Sequence, residues 1–230
     1  MPSSLYHTDP YCAEVATVVE SIFDEDDRWY LALKDNLFYP QGGGQKGDIG
    51  TVETALGPVA VIDTVKDQYA SSPRSLLVLA GPCPGLEPGA AVTAKLDWPF
   101  RYRQMRLHST VHLHHCLIEQ VGGVRLPHPK TSDIGDGEAY NRYEGVALDE
   151  GLVARATEAL RAAIAAGGAV TTRDDDSNAG FRWWDCLGFS IPCGGTHLRD
   201  IAEIGAVEAS FSQKKGKPKI TFRLSDSPAA

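Results

Sequence analysis

His108-Ser-Thr-Val-His112 and Cys193-Gly-Gly-Thr-His197 are the two segments of this chain whose residue types and spacing can hold a metal ion. Two imidazoles at i and i+4 share one face of a helix, one turn apart. A thiol and an imidazole four residues apart, around two glycines, can fold into a tight turn. Gly194 and Gly195 are expected to take backbone angles there that a Cβ would forbid, with Pro192 stiffening the approach. Three histidines and one cysteine are a donor set that suits Zn²⁺. Either motif alone is weak, because such spacings arise by chance. Together they predict a zinc site at His108, His112, Cys193 and His197, with Cys193 held as a thiolate. Cys116 lies four residues after His112, so a triad of His108, His112 and Cys116 is geometrically open, although it leaves the Cys193 motif without a role. His114 and His115 are expected to point elsewhere. Four protein donors close a tetrahedral shell, the usual form of a structural zinc, whereas a catalytic zinc usually keeps a position open. The donor count does not choose between them.

The elements that must position these donors change character along the chain. Residues 11 to 97 read as short strands: Glu14 to Ile22, Trp29 to Leu33, Val59 to Val65, Ser75 to Leu79 and Ala91 to Asp97. An acidic turn at Asp24 to Asp27 and repeated Gly/Pro punctuation separate them, a pattern that predicts a small β-barrel or curled sheet. At Asp97-Trp-Pro the pattern switches. Asp97 is the expected N-cap of a partly amphipathic helix carrying Met105, Leu107, Val111, Leu113 and Leu117 and ended by Gly122-Gly123. A second helix is expected from Asp149 to Ala166, stopped by Gly167-Gly168. Ala169-Val-Thr-Thr and Lys219 to Leu224 read as strands, with shorter ones between. Helices and strands without a βα rhythm predict an α+β layer. The tail from Ser225 to Ala230 is expected to fray.

Bulk properties narrow the function. The 230 residues carry a formal net charge of −8, which argues against a general nucleic-acid coat but leaves room for an RNA enzyme with local basic patches. Two such patches are present: Arg101, Arg103 and Arg106 at the start of the metal helix, and a basic loop of Lys214, Lys215, Lys217 and Lys219. Either can meet phosphates or be a solvated face. Trp183 and Trp184 can stack on a base or fill a core. Five widely spaced cysteines fit a reducing compartment and no disulfide framework. Met1-Pro-Ser-Ser-Leu-Tyr-His has no basic or apolar leader region, and no run of ~18 apolar residues occurs. The expectation is a cytoplasmic protein with no membrane partner and no obligate protein partner.

A third segment, Phe38-Tyr-Pro-Gln-Gly-Gly-Gly-Gln45-Lys-Gly-Asp48-Ile-Gly, joins the two metal motifs, and Glu203-Ile-Gly follows them. In order and separation these segments resemble the alanyl-tRNA editing family over roughly residues 10 to 225. That family comprises the free-standing editing proteins, here of the longer type with a GGGQ segment, and the editing domain of alanyl-tRNA synthetase. The resemblance implies an α+β chain. A small β-barrel-like domain with the glycine-rich loop would span 1–97. A two-layer α/β editing domain, of the type common to threonyl- and alanyl-tRNA synthetases, would span 98–230. It implies hydrolysis of the ester joining a wrong amino acid, serine or glycine, to tRNA-Ala, with zinc on His108, His112, Cys193 and His197.

That chemistry needs a positioned water and a place for oxyanion charge. Gln45 and Thr196 are the catalytic candidates; Gly42, Gly43 and Gly44 offer backbone N–H groups to a substrate, unless the segment is only a flexible hairpin tip. Thr196 and Asp200 are also placed to orient a metal ligand. Thr110 and Val111 are the substrate-side candidates on the helix. Many relatives carry Thr or another residue just before the second helix His, and here that position is Val111, with Thr110 expected on a different face. A different mischarged tRNA, or a non-catalytic RNA-binding module with a structural zinc, are the alternative readings.

Overall fold

The computed structural model describes residues 4–68 and 74–225. The chain forms two compact units, one of Met1–Gly42 with Lys46–Tyr102, the other of Gly43–Gln45 with Arg103–Ala230. The expected frayed tail lies, from residue 226 on, outside the described residues.

The first unit opens with a short helix, α1 (Leu5–Thr8), followed by β1 (Glu14–Glu25), β2 (Arg28–Leu33), β3 (Gly50–Thr54), β4 (Gly57–Lys66), β5 (Ser75–Leu79) and β6 (Ala91–Leu96). The six strands close an antiparallel barrel in the order β1-β2-β5-β4-β3-β6, with β6 pairing back onto β1. Alternation turns Leu31, Val52, Leu77 and Ala94 into a dry interior together with Leu37 and Phe38. The acidic turn is tighter than expected. Asp24 and Glu25 still belong to β1, and only Asp26 and Asp27 turn, both at positive φ, as a two-residue hairpin requires. β3 is the strand the sequence hides, because Val52 is its one buried side chain.

Arg101 corrects an expectation. Expected among RNA-facing cations, it is fully buried. Its guanidinium grips the Asp48 carboxylate and donates to the carbonyl oxygens of Leu37 at 2.7 Å and Pro10 at 2.9 Å. A cation taken out of water needs this full set of acceptors.

In the second unit, α2 (Trp98–Gly122, continuing from the first unit) starts where Asp97 caps the Phe100 N–H at 2.9 Å. Then follow β7 (Thr131–Ile134), β8 (Glu138–Arg142), α3 (Glu150–Ala166), β9 (Val170–Asp174), β10 (Arg182–Cys186), β11 (Phe189–Pro192), a 3-10 helix at Ile201–Ile204, β12 (Val207–Lys214) and β13 (Lys217–Leu224). They build a four-stranded sheet, β12-β13-β8-β7, and a three-stranded one, β11-β10-β9. The chain is thus α+β. α3 is capped by Asp149 and stopped by Gly167 at positive φ. α2 is not the amphipathic helix expected. From Gln104 to Val111 every residue is buried. Its polar side chains find partners there: Gln104 donates to the Gly135 carbonyl at 2.7 Å and Arg106 to that of Ile204 at 2.8 Å.

The basic segment near the end is a hairpin rather than a loop. Lys214 ends β12, Lys215 and Gly216 make the turn at positive φ, and Lys217 and Lys219 lie in β13. Lys217 pairs with Glu144 at 2.5 Å, and the Lys219 ammonium sits 4.1 Å from the Tyr140 ring centre.

Candidate metal centre

One turn of α2 separates His108 from His112 and brings their ring centres to 4.7 Å. The turn after β11 brings His197 to 4.3 Å from His108 and 5.1 Å from His112, centre to centre. One donor atom from each of His108, His112, Cys193 and His197 lies within 4.8 Å of all the others. The Cys193 Sγ is 3.4 Å from His108 Nε2 and 3.2 Å from His197 Nε2. In a tetrahedral zinc shell, with Zn–N of about 2.0–2.1 Å and Zn–S of about 2.3 Å, nitrogen and sulfur donors stand about 3.5 Å apart. The spacing therefore fits the ion.

The protonation pattern fits as well. Gln45 Oε1 accepts the Thr196 backbone N–H at 3.0 Å, which fixes that atom as the amide oxygen. The same oxygen lies 2.9 Å from His108 Nδ1, so Nδ1 must carry the proton and Nε2 presents its lone pair to the cluster. Gln45 Nε2 in turn donates to Thr196 Oγ1 at 2.8 Å, and Ser109 Oγ meets His197 Nδ1 at 3.3 Å. His112 Nε2 is buried with no hydrogen-bond partner, a ring nitrogen that a metal would satisfy. Burial holds His108 neutral, its pKa pushed down to about 3, and keeps His112 and His197 well below the usual imidazole range. The Cys193 thiol is pushed up to about 11 by the same desolvation. Three neutral imidazoles and a thiol, with only Arg182 acting on it from a distance, are a set that a cation would complete.

The diglycine works differently from the expected way. Neither Gly194 nor Gly195 has positive φ. A Cβ on Gly194 would meet nothing within 4 Å, whereas one on Gly195 would lie 2.3 Å from His108 Cε1 and 2.8 Å from Gln45 Oε1. Gly195 is needed because the ring and the amide press against its backbone.

Gln45 thus acts on the site by aiming His108. Gln45→Ala is expected to weaken zinc binding about 10- to 100-fold, and Gln45→Glu to recover part of it, because a carboxylate still accepts both N–H groups. Competition against a chromophoric chelator reads both. Equal affinity in wild type and Gln45→Ala would exclude the orienting role.

A pocket of about 210 Å³ opens beside His108 and His112. Gly43 and Val111 line it, with Ser132, Ile134 and Asn141 from β7 and β8. Ser132 Oγ donates to Asn141 Oδ1 at 2.6 Å, and Asn141 Nδ2 donates to the Val111 carbonyl at 3.3 Å. His115 and His128 also line the pocket, contrary to the expectation that His115 points away. His115 Nδ1 meets the Tyr143 hydroxyl at 3.0 Å, with the two rings stacked.

Other expected residues lie elsewhere. Thr110 is not substrate-facing; it is fully buried and its hydroxyl donates to the Arg106 carbonyl at 2.8 Å. Gly42 lies in the first unit beside Lys66 and Tyr39, and Gly44 packs on the Ser132 backbone. Asp200 orients no metal ligand; it caps the 3-10 helix through the Ala202 N–H, reciprocated by Glu203, and accepts the Gly168 N–H. Cys116 is buried outside the four-donor group, which removes the alternative triad. His114 packs against Phe222 and Thr157. Trp184 is a core residue behind His112, with ring centres 5.4 Å apart. Arg103 is paired with Asp136 at 2.8 Å.

No protein-family model matches the chain. Individual proteins do. Alanyl-tRNA editing protein AlaX-M of Pyrococcus horikoshii is 29% identical over 238 residues, 95% of this chain and 95% of that protein. AlaX-M of Methanosarcina acetivorans is 30% identical over 250 residues, 98% of this chain and 100% of the relative. A part of the alanine–tRNA ligase of Sulfurisphaera tokodaii is 29% identical over 229 residues, 89% of this chain but 24% of the ligase. With four donors that could hold a metal converging as the motifs predict, and with similarity over nearly the full length of both chains, the chain belongs to the alanyl-tRNA editing protein family of the AlaX-M type.

Proposed function

We propose that this protein is a zinc-dependent hydrolase that frees tRNA-Ala from a wrongly attached amino acid, serine or glycine, acting in trans. The observation that carries the reading is the convergence of His108, His112, Cys193 and His197 beside a small pocket of mixed polar and apolar lining, in a chain related over nearly its whole length to alanyl-tRNA editing proteins. Residues 98–230 would be the zinc-binding editing domain of two-layer form, and residues 1–97 the barrel-like domain with the glycine-rich loop.

Zinc bound there supplies Lewis-acid polarisation of the ester carbonyl or a more acidic water. The chain's own residues do the rest. Gln45 and Thr196 keep His108 in its donor tautomer. The 210 Å³ pocket, lined in part by Val111, is sized for a small aminoacyl group, and Ser132 and Asn141 are, with His115 and His128, polar groups that could meet a serine hydroxyl. A site that hydrogen-bonds a hydroxyl rejects an analogue lacking it far better than an apolar pocket rejects one with an extra group. That asymmetry would admit serine and spare alanine; glycine, which has no hydroxyl, differs from alanine only by the missing methyl and would be admitted on size. Water adds to the carbonyl carbon, the bond to the ribose oxygen breaks, and that oxygen leaves with a proton. Lys214 and Lys215, at the exposed tip of the last hairpin, are proposed to meet tRNA phosphates, with Arg103, Lys217 and Lys219 recruited from their present pairings. Among the described residues no helix is long and apolar enough to cross a membrane.

A panel of mischarged tRNAs tests the substrate. Serine and glycine should be released from tRNA-Ala, and alanine retained. Faster release of serine from a non-alanine tRNA would favour the second substrate reading, which Val111 motivates.

A further inference from the structure

Hydrolysis of the ester requires a proton for the departing ribose oxygen and a place for the proton shed by the attacking water. We infer that His128 carries this proton from one to the other. The inference rests on the hydrolase reading and adds to it a catalytic residue outside both metal motifs.

The position of the ester makes the argument. A pocket of about 210 Å³ holds a serine or glycine residue and little more, so the bond joining that residue to the RNA lies at the pocket's opening. A second cavity, of about 850 Å³, shares four lining residues with the pocket: His115, His128, Ile191 and Pro192. These four mark the opening. Ile191 and Pro192 have no side-chain proton to exchange. The two imidazoles remain, and histidine is the side chain used most often to move protons in catalysis.

His115 is already committed. It is half-buried, its Nδ1 meets the Tyr143 hydroxyl at 3.0 Å, and the two rings stack with centres 5.8 Å apart. Burial lowers its pKa, Glu119 opposes that shift, and the neighbouring His128 adds to it, so His115 is the poorer proton carrier. His128 is exposed, and its ring can exchange a proton with solvent between turnovers. Its backbone is nevertheless held. Pro127 and Pro129 flank it, and proline fixes its own φ and drives the residue before it into extended backbone. Just before this stretch the Leu126 N–H donates to Glu119 Oε1 on α2 at 2.7 Å, and just after it the Lys130 N–H donates to the Arg142 carbonyl on β8 at 2.8 Å. A catalytic group must be held where the reacting atoms will be, and this segment does that for His128.

Water adds to the carbonyl carbon while the neutral His128 ring takes one of its protons. The bond from that carbon to the ribose oxygen then breaks with its electron pair on the oxygen, which takes the proton from the imidazolium. The ring ends neutral. The amino acid leaves as a carboxylate after giving the second water proton to solvent.

The test uses the full chain loaded with zinc and single-turnover hydrolysis of Ser-tRNA-Ala. His128→Ala should lower the rate constant at saturating protein about a hundredfold, with zinc content and half-saturating concentration near wild type. Added imidazole should return part of that rate, because the position is open to solvent; a purely structural role would not respond. His128→Lys keeps a cation for any phosphate nearby and should stay at least about tenfold slow. A His128→Ala protein that runs at the wild-type rate, or a slow one that imidazole does not speed up, would overturn the inference and leave the hydrolase reading standing. Wild-type protein that deacylates neither Ser-tRNA-Ala nor Gly-tRNA-Ala would remove the hydrolase reading itself.

Discussion

Replacing Cys193 by alanine is expected to lower deacylation of mischarged tRNA-Ala at least about a hundredfold, because losing a ligand costs no less than losing a residue that orients one. The thiol stands 3.2–3.4 Å from two ligand nitrogens, so its loss opens the shell on that side. Stability should change far less. The residue is half-buried and is not among the fully buried hydrophobic side chains of the core. Circular dichroism and thermal unfolding of the zinc-loaded variant read this directly. The alternative, a structural zinc in a non-catalytic RNA-binding module, draws its support from the four-donor count. It requires the opposite: Cys193→Ala should unfold the C-terminal half, and wild type should show no turnover to lose.

The paired variants Gly195→Ala and Gly194→Ala should separate sharply. The added methyl at 195 would lie 2.3 Å from His108 Cε1, 2.7 Å from His108 Nδ1 and 2.8 Å from Gln45 Oε1. None of these atoms can give way without leaving the arrangement that aims His108 Nε2. Zinc affinity should fall at least about a hundredfold, with kcat/KM falling in parallel. At 194 the methyl meets nothing within 4 Å and φ is not positive, so affinity and rate should stay near wild type. A Gly195→Ala protein that binds zinc like wild type would show that the close approach of ring to backbone is dispensable.

The closeness of His108 and His112 was legible because a local rule carries it: residues at i and i+4 on any helix are neighbours. The diglycine motif was legible as a partner, although the reason for its glycines was not. Chain separation explains this. Gly195 is constrained by His108 and Gln45, and Gln45 reaches His108 across 63 positions and Thr196 across 151. No local pattern encodes such contacts. The same holds for Arg101, whose charge predicts exposure until Asp48, 53 positions away, pairs with it. The barrel announced itself through β-branched runs bounded by Gly and Pro, except at β3. The pocket residues Ser132 and Asn141 escaped notice because each is a polar residue in a short strand. Only their register, Ser132 opposite Asn141, turns them into a pair. A polar residue of low strand propensity inside a strand is the signal that marks Asn141 in retrospect.

Metal dependence of hydrolysis tests the central claim most directly. Purified protein is stripped of metal with a chelator, returned to buffer, and assayed on Ser-tRNA-Ala and Ala-tRNA-Ala before and after one equivalent of zinc. Serine release should vanish on stripping and return with zinc, while Ala-tRNA-Ala stays intact throughout. Folded, zinc-loaded protein that leaves both Ser-tRNA-Ala and Gly-tRNA-Ala uncleaved, or stripped protein that cleaves them at the full rate, would contradict it.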